Sequence, residues 1–269
     1  MEVTVVGMGN MGRAFAKRAH SLGLDVYWWN RTREKVRDAP GVEIRKLSDA
    51  RGLVAVFVSD DAALFQVLGD LSGEYVALCG TYSVEAVRRA VGLMHERGKK
   101  AFAMPVVGSP RNVESGDAIY LVGASEDVYT KLRPVLEKIG VLFYVGDSVK
   151  AAALKLAYNS LLITTVAVLG ESFNLASKYG VKIDEFRELL SHTVFKEIGA
   201  RYLERMLGKT PPSFTIRNAA KDMRYAAVAS GEAGSGNVVI SSVKALYELL
   251  TALGYGEEDY VKAGVLGGR

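Results

Sequence analysis

The sequence predicts an α/β N-terminal half on a doubly wound, mainly parallel sheet, one long helix leading out of it, and an all-α C-terminal half. Three observations predict this. Residues 2 to 146 alternate short β-branched runs with amphipathic stretches, the pattern of βαβ units. From Ser148 to about Lys178 no proline or likely break interrupts the chain, close to 30 residues and about 45 Å at the standard helical rise. Beyond that point only helical periodicities remain, punctuated by Gly, Pro and Ser. The boundary is accordingly expected at 147/148, giving domains 1–147 and 148–269.

In chain order, strands are expected at Val3 to Val6, Val26 to Trp29, Leu53 to Val58, Tyr75 to Cys79, Ala101 to Met104, Ile119 to Gly123 and Val141 to Val145. Between the first two, Met11, Phe15, Ala19 and Leu22 recur at helical spacing, and Gly23 is placed to stop the helix. Further helices follow Asp61, Ser83 and Ser125, each able to cap an N-terminus, and Ser148 can cap the long helix. The C-terminal half is expected to hold helices at Ile183 to Leu190, Ala200 to Leu207, Arg217 to Ala229 and Val238 to Leu253. No internal repeat is present.

Composition narrows the functional classes. Hydrophobic residues at 49% and charged residues at 24% suit a globular enzyme and exclude a disordered chain. The net charge of +4 is spread along the chain with no basic tract, so no nucleic-acid partner is expected. Cys79 is the single cysteine, which excludes an intrachain disulfide and a Cys-based metal site and suggests a reducing compartment. A strand-like run starts at Glu2 and the most apolar later stretch, Leu161 to Leu169, is too short to span a bilayer. A cytoplasmic protein without a membrane role is therefore expected. His20, His95 and His192 fall in separate elements without metal-pair spacing, so no metal is expected.

Gly7-Met8-Gly9-Asn10-Met11-Gly12 lies between the first strand and the first helix. Its glycines suit a tight turn, close backbone approach to a pyrophosphate, and packing of the helix on the strand, so a Rossmann-type dinucleotide site is expected there. The pyrophosphate would sit on the helix N-terminus, where free N–H groups and the helix dipole favour an anion. At the end of the second strand, where an NAD enzyme places a carboxylate, the chain reads Asn30-Arg31-Thr32-Arg33. Asn30 can bond the ribose, and Arg31 offers a planar fork to a 2′-phosphate with help from Thr32 and Arg33, so NADP is favoured over NAD. A solvated basic turn would read the same way, and one such turn does not exclude NAD. Ser59 and Asp60, after the third expected strand, join the cofactor-binding set.

Lys155 and Asn159 are four residues apart on the long helix and share one face. Alone, such a lysine reads as a solvated charge. The order of motifs along nearly the whole chain, however, resembles the β-hydroxyacid dehydrogenase family, relatives of 3-hydroxyisobutyrate dehydrogenase and of glyoxylate and succinic semialdehyde reductases. Gly7 to Gly12 is similar to the family's Gly-Leu-Gly-x-Met-Gly opening, and Asn30-Arg31-Thr32 follows it. Cys79-Gly80-Thr81-Tyr82-Ser83 resembles its Asp-x-Ser-Thr segment, which implies that Thr81 lies near the nicotinamide. Pro105-Val106-Val107-Gly108-Ser109-Pro110 resembles its Pro-Val-Ser-Gly-Gly substrate loop, with Val107 in place of serine and Ser109 in place of glycine. A substrate carboxylate would then rely on backbone N–H groups and the Ser109 hydroxyl.

Gly146-Asp147 and Lys155-Leu156-Ala157-Tyr158-Asn159 are similar to the family's Gly-x-Gly…Lys-x-x-x-Asn signature, lacking its second glycine. Phe214 and Lys221-Asp222 resemble the segment in which Lys closes over the cofactor while Phe and Asp border the active site. The resemblance implies Lys155 and Asn159 as catalytic residues, with Val107, Gly108, Ser109, Asn159, Phe214 and Asp222 at the substrate. It also implies Phe214 and Lys221 at the cofactor. Lys155 would protonate the carbonyl oxygen as hydride arrives, or, deprotonated in a desolvated cleft, accept the hydroxyl proton in the reverse direction. Asn159 would orient substrate and lysine without titrating.

The expected reaction interconverts a small β-hydroxy acid, such as 3-hydroxyisobutyrate or L-serine, with its carbonyl form. Alternatives are reduction of glyoxylate-type or succinic-semialdehyde-type aldehydes, imine reduction, and a non-catalytic NADP-binding module. Lys155 counts against imine reduction, and the Lys155, Asn159, Lys221 and Asp222 set counts against a binding module. From the family, a homodimer or homotetramer is expected.

Overall fold

The structure, a computed structural model, describes residues 1–36, 38–208 and 212–267. The chain forms two compact units, Met1–Lys155 and Leu156–Arg269.

The first unit is built on a six-stranded parallel sheet of β1 (Glu2–Val6), β2 (Asp25–Trp29), β3 (Val42–Glu43), β4 (Leu53–Val56), β5 (Tyr75–Leu78) and β6 (Lys100–Ala103), in the order β3-β2-β1-β4-β5-β6. Alternate residues enter two separate cores: Val3, Val5, Leu53, Ala55 and Ala77 lie on one face, and Val6, Val54, Val56, Val76 and Leu78 on the other. This is why the strands read as continuous apolar runs, as expected of a parallel sheet covered on both sides. The lone polar residue inside β1, Thr4, is fully buried and satisfied by bonds to and from the Arg51 backbone. Helices α1 (Asn10–Ser21), α2 (Asp61–Leu68) and α3 (Val84–Glu96) link these strands. Gly23, at φ +74°, follows the end of α1 as the sequence predicts.

A second, three-stranded sheet follows, with β7 (Val106–Val107) antiparallel to β8 (Ile119–Val122) and β9 (Val141–Tyr144) parallel to β8. Helix α4 (Pro110–Ser115) separates β7 from β8, and α5 (Glu126–Ile139) separates β8 from β9. The sheet expected as one is thus two, because the chain reverses after Pro105 and β8 pairs with β7. The two-residue strands β3 and β7 were too short to carry a recognisable alternation.

Two capping assignments change and one is modified. Asp60, not Asp61, caps α2 by accepting from the Ala63 N–H. Ser125 is the N-cap residue of α5 as expected, but its hydroxyl donates to the Asp127 carboxylate and caps no backbone N–H. The long helix α6 (Ser148–Lys178) is capped by Asp147, whose carboxylate accepts from the Lys150 N–H, while the Ser148 hydroxyl donates to the Gly123 carbonyl and accepts from the Ala103 N–H. The first two turns of α6 bury Ala151 and Ala152 in one of the sheet cores, and the two compact units divide at 155/156.

The second unit is all helical. It takes the rest of α6 with α7 (Ile183–Ser191), α8 (Lys196–Leu207), α9 (Ile216–Glu232), α10 (Val238–Leu250) and the short α11 (Ala263–Leu266). Its core gathers Ile163, Val166 and Ala167 of α6 with Leu203, Ala219, Met223, Tyr247 and Val261. Gly170 and Gly264 let α6 and α11 touch backbone to backbone, since a Cβ at Gly264 would lie 2.2 Å from the Ala167 carbonyl oxygen. Leu161 and Val168 face outward, at 69% and 51% exposure.

The expectation that the most apolar stretch, Leu161 to Leu169, is too short to span a bilayer needs correction: Ser148–Lys178 and Val238–Tyr255 are long enough, and each holds an 18-residue stretch that is apolar enough, of mean hydropathy 1.6 and 1.3. By length and composition the core helix of a folded protein passes the same test, and half of the first helix's apolar stretch is buried within the protein.

Candidate active site

The strand order reverses direction between β1 and β4, which is where an open parallel sheet offers a crevice at the carboxyl ends of its strands. Gly7 leaves β1 at φ +96°, and a Cβ there would lie 2.6 Å from the Phe57 carbonyl oxygen. A Cβ at Gly12 would lie 1.9 Å from the Gly7 carbonyl oxygen, so α1 rests directly on the turn. A Cβ at Gly9 would meet nothing within 4 Å, and the residue is exposed at the start of α1, whose N-terminus has no side-chain cap. Tight contact at Gly7 and Gly12 with open space over Gly9 is the cradle a pyrophosphate requires, and Met8, Asn10 and Met11 complete its backbone.

Asn30 braces this loop. Its Oδ1 accepts from the Met8 N–H at 2.9 Å and its Nδ2 donates to the Thr32 carbonyl at 2.8 Å, leaving one N–H and one lone pair for a ribose. Arg31 is exposed beside it. Arg33 is turned away, 3.0 Å from the Glu43 carboxylate, and donates to the Arg45 carbonyl. After β4 the Ser59 hydroxyl donates to Asp60 at 2.8 Å. Asp61, not singled out in the sequence as a site residue, accepts from both the N–H and the hydroxyl of Ser83, at 3.0 and 2.7 Å, tying the loop after β4 to the Thr81 loop after β5.

In the expected substrate loop, Gly108 sits at φ +142°, with Val107 half-buried. The Ser109 hydroxyl is engaged otherwise than expected: it donates to Asn112 Oδ1 at 2.6 Å and accepts from the Asn112 N–H, while the Ser109 N–H also bonds Asn112 Oδ1, at 2.9 Å. This is a capping box opening α4. Asn112 was therefore missed, although the Ser-Pro-x-Asn spacing carries the signal.

Lys155 and Asn159 occupy successive turns of one face of α6, each 8% exposed. Around Lys155 the first unit presents Gly80, Tyr82, Pro105 and Ala152. In the second unit Asn159 Nδ2 donates to Asp222 Oδ2 at 2.6 Å. Lys221 Nζ lies 2.8 Å from Asp222 Oδ1, an ion pair without directed hydrogen-bond geometry, and 4.9 Å from the centre of the Tyr225 ring. Asp222 is 2% exposed. A carboxylate only accepts, so the Asn159 amide must point its nitrogen at Asp222 and its oxygen the other way. Asp222, expected at the substrate, here holds the Asn159 and Lys221 side chains. Phe214 packs edge-on against Tyr260 with ring centres 5.2 Å apart and accepts the Tyr260 N–H through its carbonyl. Among the described residues no group of three His, Cys, Asp or Glu side chains could hold a metal ion.

The pattern described as the NAD binding domain of 6-phosphogluconate dehydrogenase matches residues 2–146, and that described as NAD-binding of NADP-dependent 3-hydroxyisobutyrate dehydrogenase matches residues 150–264. The chain belongs to the β-hydroxyacid dehydrogenase family. Members of this family are NAD(P)-dependent oxidoreductases acting on hydroxyl groups, and so is this chain. It is 25% identical to glyoxylate/succinic semialdehyde reductase 1 of Arabidopsis thaliana, over 97% of this chain and 96% of that one. It shares the β-hydroxyacid dehydrogenase fold with 3-hydroxyisobutyrate dehydrogenase of Mycobacterium tuberculosis, solved with L-serine, at a TM-score of 0.84 and 19% identity over 98% of both chains. A reductive aminase from Aspergillus terreus solved with NADPH superposes at 0.65 and 23% identity, over 97% of both chains.

Proposed function

We propose that the protein interconverts a small β-hydroxy acid, of the 3-hydroxyisobutyrate or L-serine type, and its carbonyl form, using NADP in preference to NAD, with Lys155 as the acid/base. The observation that carries this reading is the Lys155 and Asn159 face of α6, with the Asn159 amide fixed by the buried Asp222. When bound, the nicotinamide supplies or takes up the hydride. Lys155 gives a proton to the substrate oxygen as negative charge builds there, or takes the hydroxyl proton in oxidation. The Asn159 oxygen, turned away from Asp222, accepts from the substrate hydroxyl or from Lys155 and so aligns the two. The backbone around Gly108 receives the carboxylate, since the Ser109 hydroxyl and N–H are already paired with Asn112. Arg31, exposed beside Asn30, supports NADP through a forked contact with the 2′-phosphate. The single, buried Cys79 suits the reducing cytoplasm.

The test is reduction of NADP and NAD followed spectroscopically with L-serine, D-serine, 3-hydroxyisobutyrate, 3-hydroxypropionate and 4-hydroxybutyrate at alkaline pH. Turnover with one β-hydroxy acid, faster with NADP, is expected. Lys155→Ala is expected to lower that turnover by about 10²- to 10⁴-fold with cofactor affinity retained. Silence across the panel from a protein that binds NADPH would move the assignment to aldehyde or imine reduction, or to binding alone.

A further inference from the structure

Tyr82 stands where the segment resembling Asp-x-Ser-Thr carries its threonine, and the ring is directed inward. It is 2% exposed, with its hydroxyl donating to the Val58 carbonyl at 3.2 Å. Gly80 makes the space: a Cβ there would lie 2.6 Å from both the ring Cζ and the hydroxyl oxygen of Tyr82, and 2.9 Å from the Val58 carbonyl oxygen. Gly80 and Tyr82 thus form a matched pair, in which the glycine accommodates the ring that replaces the motif's small side chain. With Leu78, Val87, Pro105 and Ala152 they line, together with Lys155, a narrow space that leaves no room for a water molecule.

We propose that Tyr82 is a positioning residue for Lys155, a plug that packs the inner side of the lysine and keeps water out of that space. A lysine side chain has four rotatable carbon–carbon bonds, and its ammonium is useful only if packing holds it to within about half an ångström of its working place. A dry apolar wall on one side also directs the ammonium to the other and strengthens its interaction with developing charge. Tyr82 itself stays a neutral phenol: burial pushes its pKa well above the ordinary value, and its O–H donates to the Val58 carbonyl. It acts by filling space, so Tyr82→Phe should preserve the function and a small residue should not.

This inference rests on Lys155 as the acid/base, and its test has a readout that does not. The rate at which acetic anhydride acetylates Lys155, followed by peptide mass spectrometry without substrate, reports the wall directly. Tyr82→Thr is expected to raise that rate severalfold and to lower kcat by about 10- to 100-fold, with the cofactor KM within about twofold. Tyr82→Phe is expected to match the parent protein in both. Gly80→Ala, which displaces the ring, is expected to shift both readouts in the same direction as Tyr82→Thr.

Folded Tyr82→Thr protein with unchanged acetylation would overturn the proposal. If Tyr82→Thr yields no folded protein, Tyr82→Leu, apolar but shorter, is read in the same way. Undiminished turnover in Lys155→Ala would instead remove the acid/base assignment and leave the acetylation result standing.

Discussion

In the N-terminal unit the glycine loop expected at the nucleotide is shaped by backbone and by missing side chains, whereas in the C-terminal unit a buried carboxylate, Asp222, holds a buried amide and a half-buried ammonium. Gly7 and Gly12 work because a Cβ would strike a carbonyl oxygen, and Gly9 because nothing stands over it. Asn159 and Asp222 are buried polar groups that would be costly alone and are tolerable together, and the half-buried Lys221 pairs with the same carboxylate. The first arrangement can be lost by adding one carbon atom; the second can be lost by removing one partner.

That contrast can be broken first at Gly12. Gly12→Ala places a methyl 1.9 Å from the Gly7 carbonyl oxygen and should cost at least about 3 kcal/mol in the N-terminal unit and abolish cofactor binding together. Gly9→Ala has open space and should melt with the parent protein while losing cofactor affinity, measured by calorimetry and by nicotinamide fluorescence. A Gly9→Ala protein with normal affinity would show that no pyrophosphate crosses that glycine.

In the C-terminal unit, Asp222→Ala leaves the Asn159 amide and the Lys221 ammonium without their carboxylate, a loss of about 3 to 5 kcal/mol in denaturant unfolding. If Asp222→Ala unfolds like the parent protein but loses turnover, Asp222 serves the substrate and not the frame. The smallest effect separates two neighbouring arginines. Arg31→Ala should weaken NADP by about 1.5 to 3 kcal/mol and leave NAD unchanged, while Arg33→Ala, whose guanidinium already faces Glu43, should change the NADP-to-NAD ratio little. Equal losses at both positions would mean that Arg33 leaves Glu43 for the cofactor.

The same contrast explains what could be read in the sequence. The glycine loop was legible because its requirement is local: a strand, three glycines and a helix in consecutive positions allow few other structures. The long helix was legible because nothing along its 31 residues breaks it. Asn159 and Asp222 are 63 residues apart, so no spacing could join them, and only a resemblance covering the whole chain pointed to both. Even then the resemblance gave no hint that Asp222 braces Asn159. Ser109 was read as a substrate hydroxyl since its capping partner, Asn112, lies just beyond the motif. Asp60 and Asp61 are adjacent and equally able to cap α2; the chain uses the first for the cap and sends the second to Ser83, a choice fixed by the next loop and not by propensity. The packing of Tyr82 was not legible in its motif, because the ring is seated on the Gly80 backbone and its hydroxyl on the carbonyl of Val58, 24 residues away.

Cys79, just beyond β5, gives the protein a clock. It is buried, its thiol sits 3.5 Å from the Ala77 carbonyl oxygen, and burial pushes it far up from its ordinary value, so almost no thiolate faces a reagent while the sheet is closed. With one sulfhydryl in the whole chain, every disulfide-exchange event recorded by a small aromatic reagent counts an opening of the N-terminal unit, and the helical unit contributes no background. Saturating nucleotide should slow that clock by the factor by which ligand occupancy lowers the open population, so a colourimetric trace reads cofactor binding without any turnover.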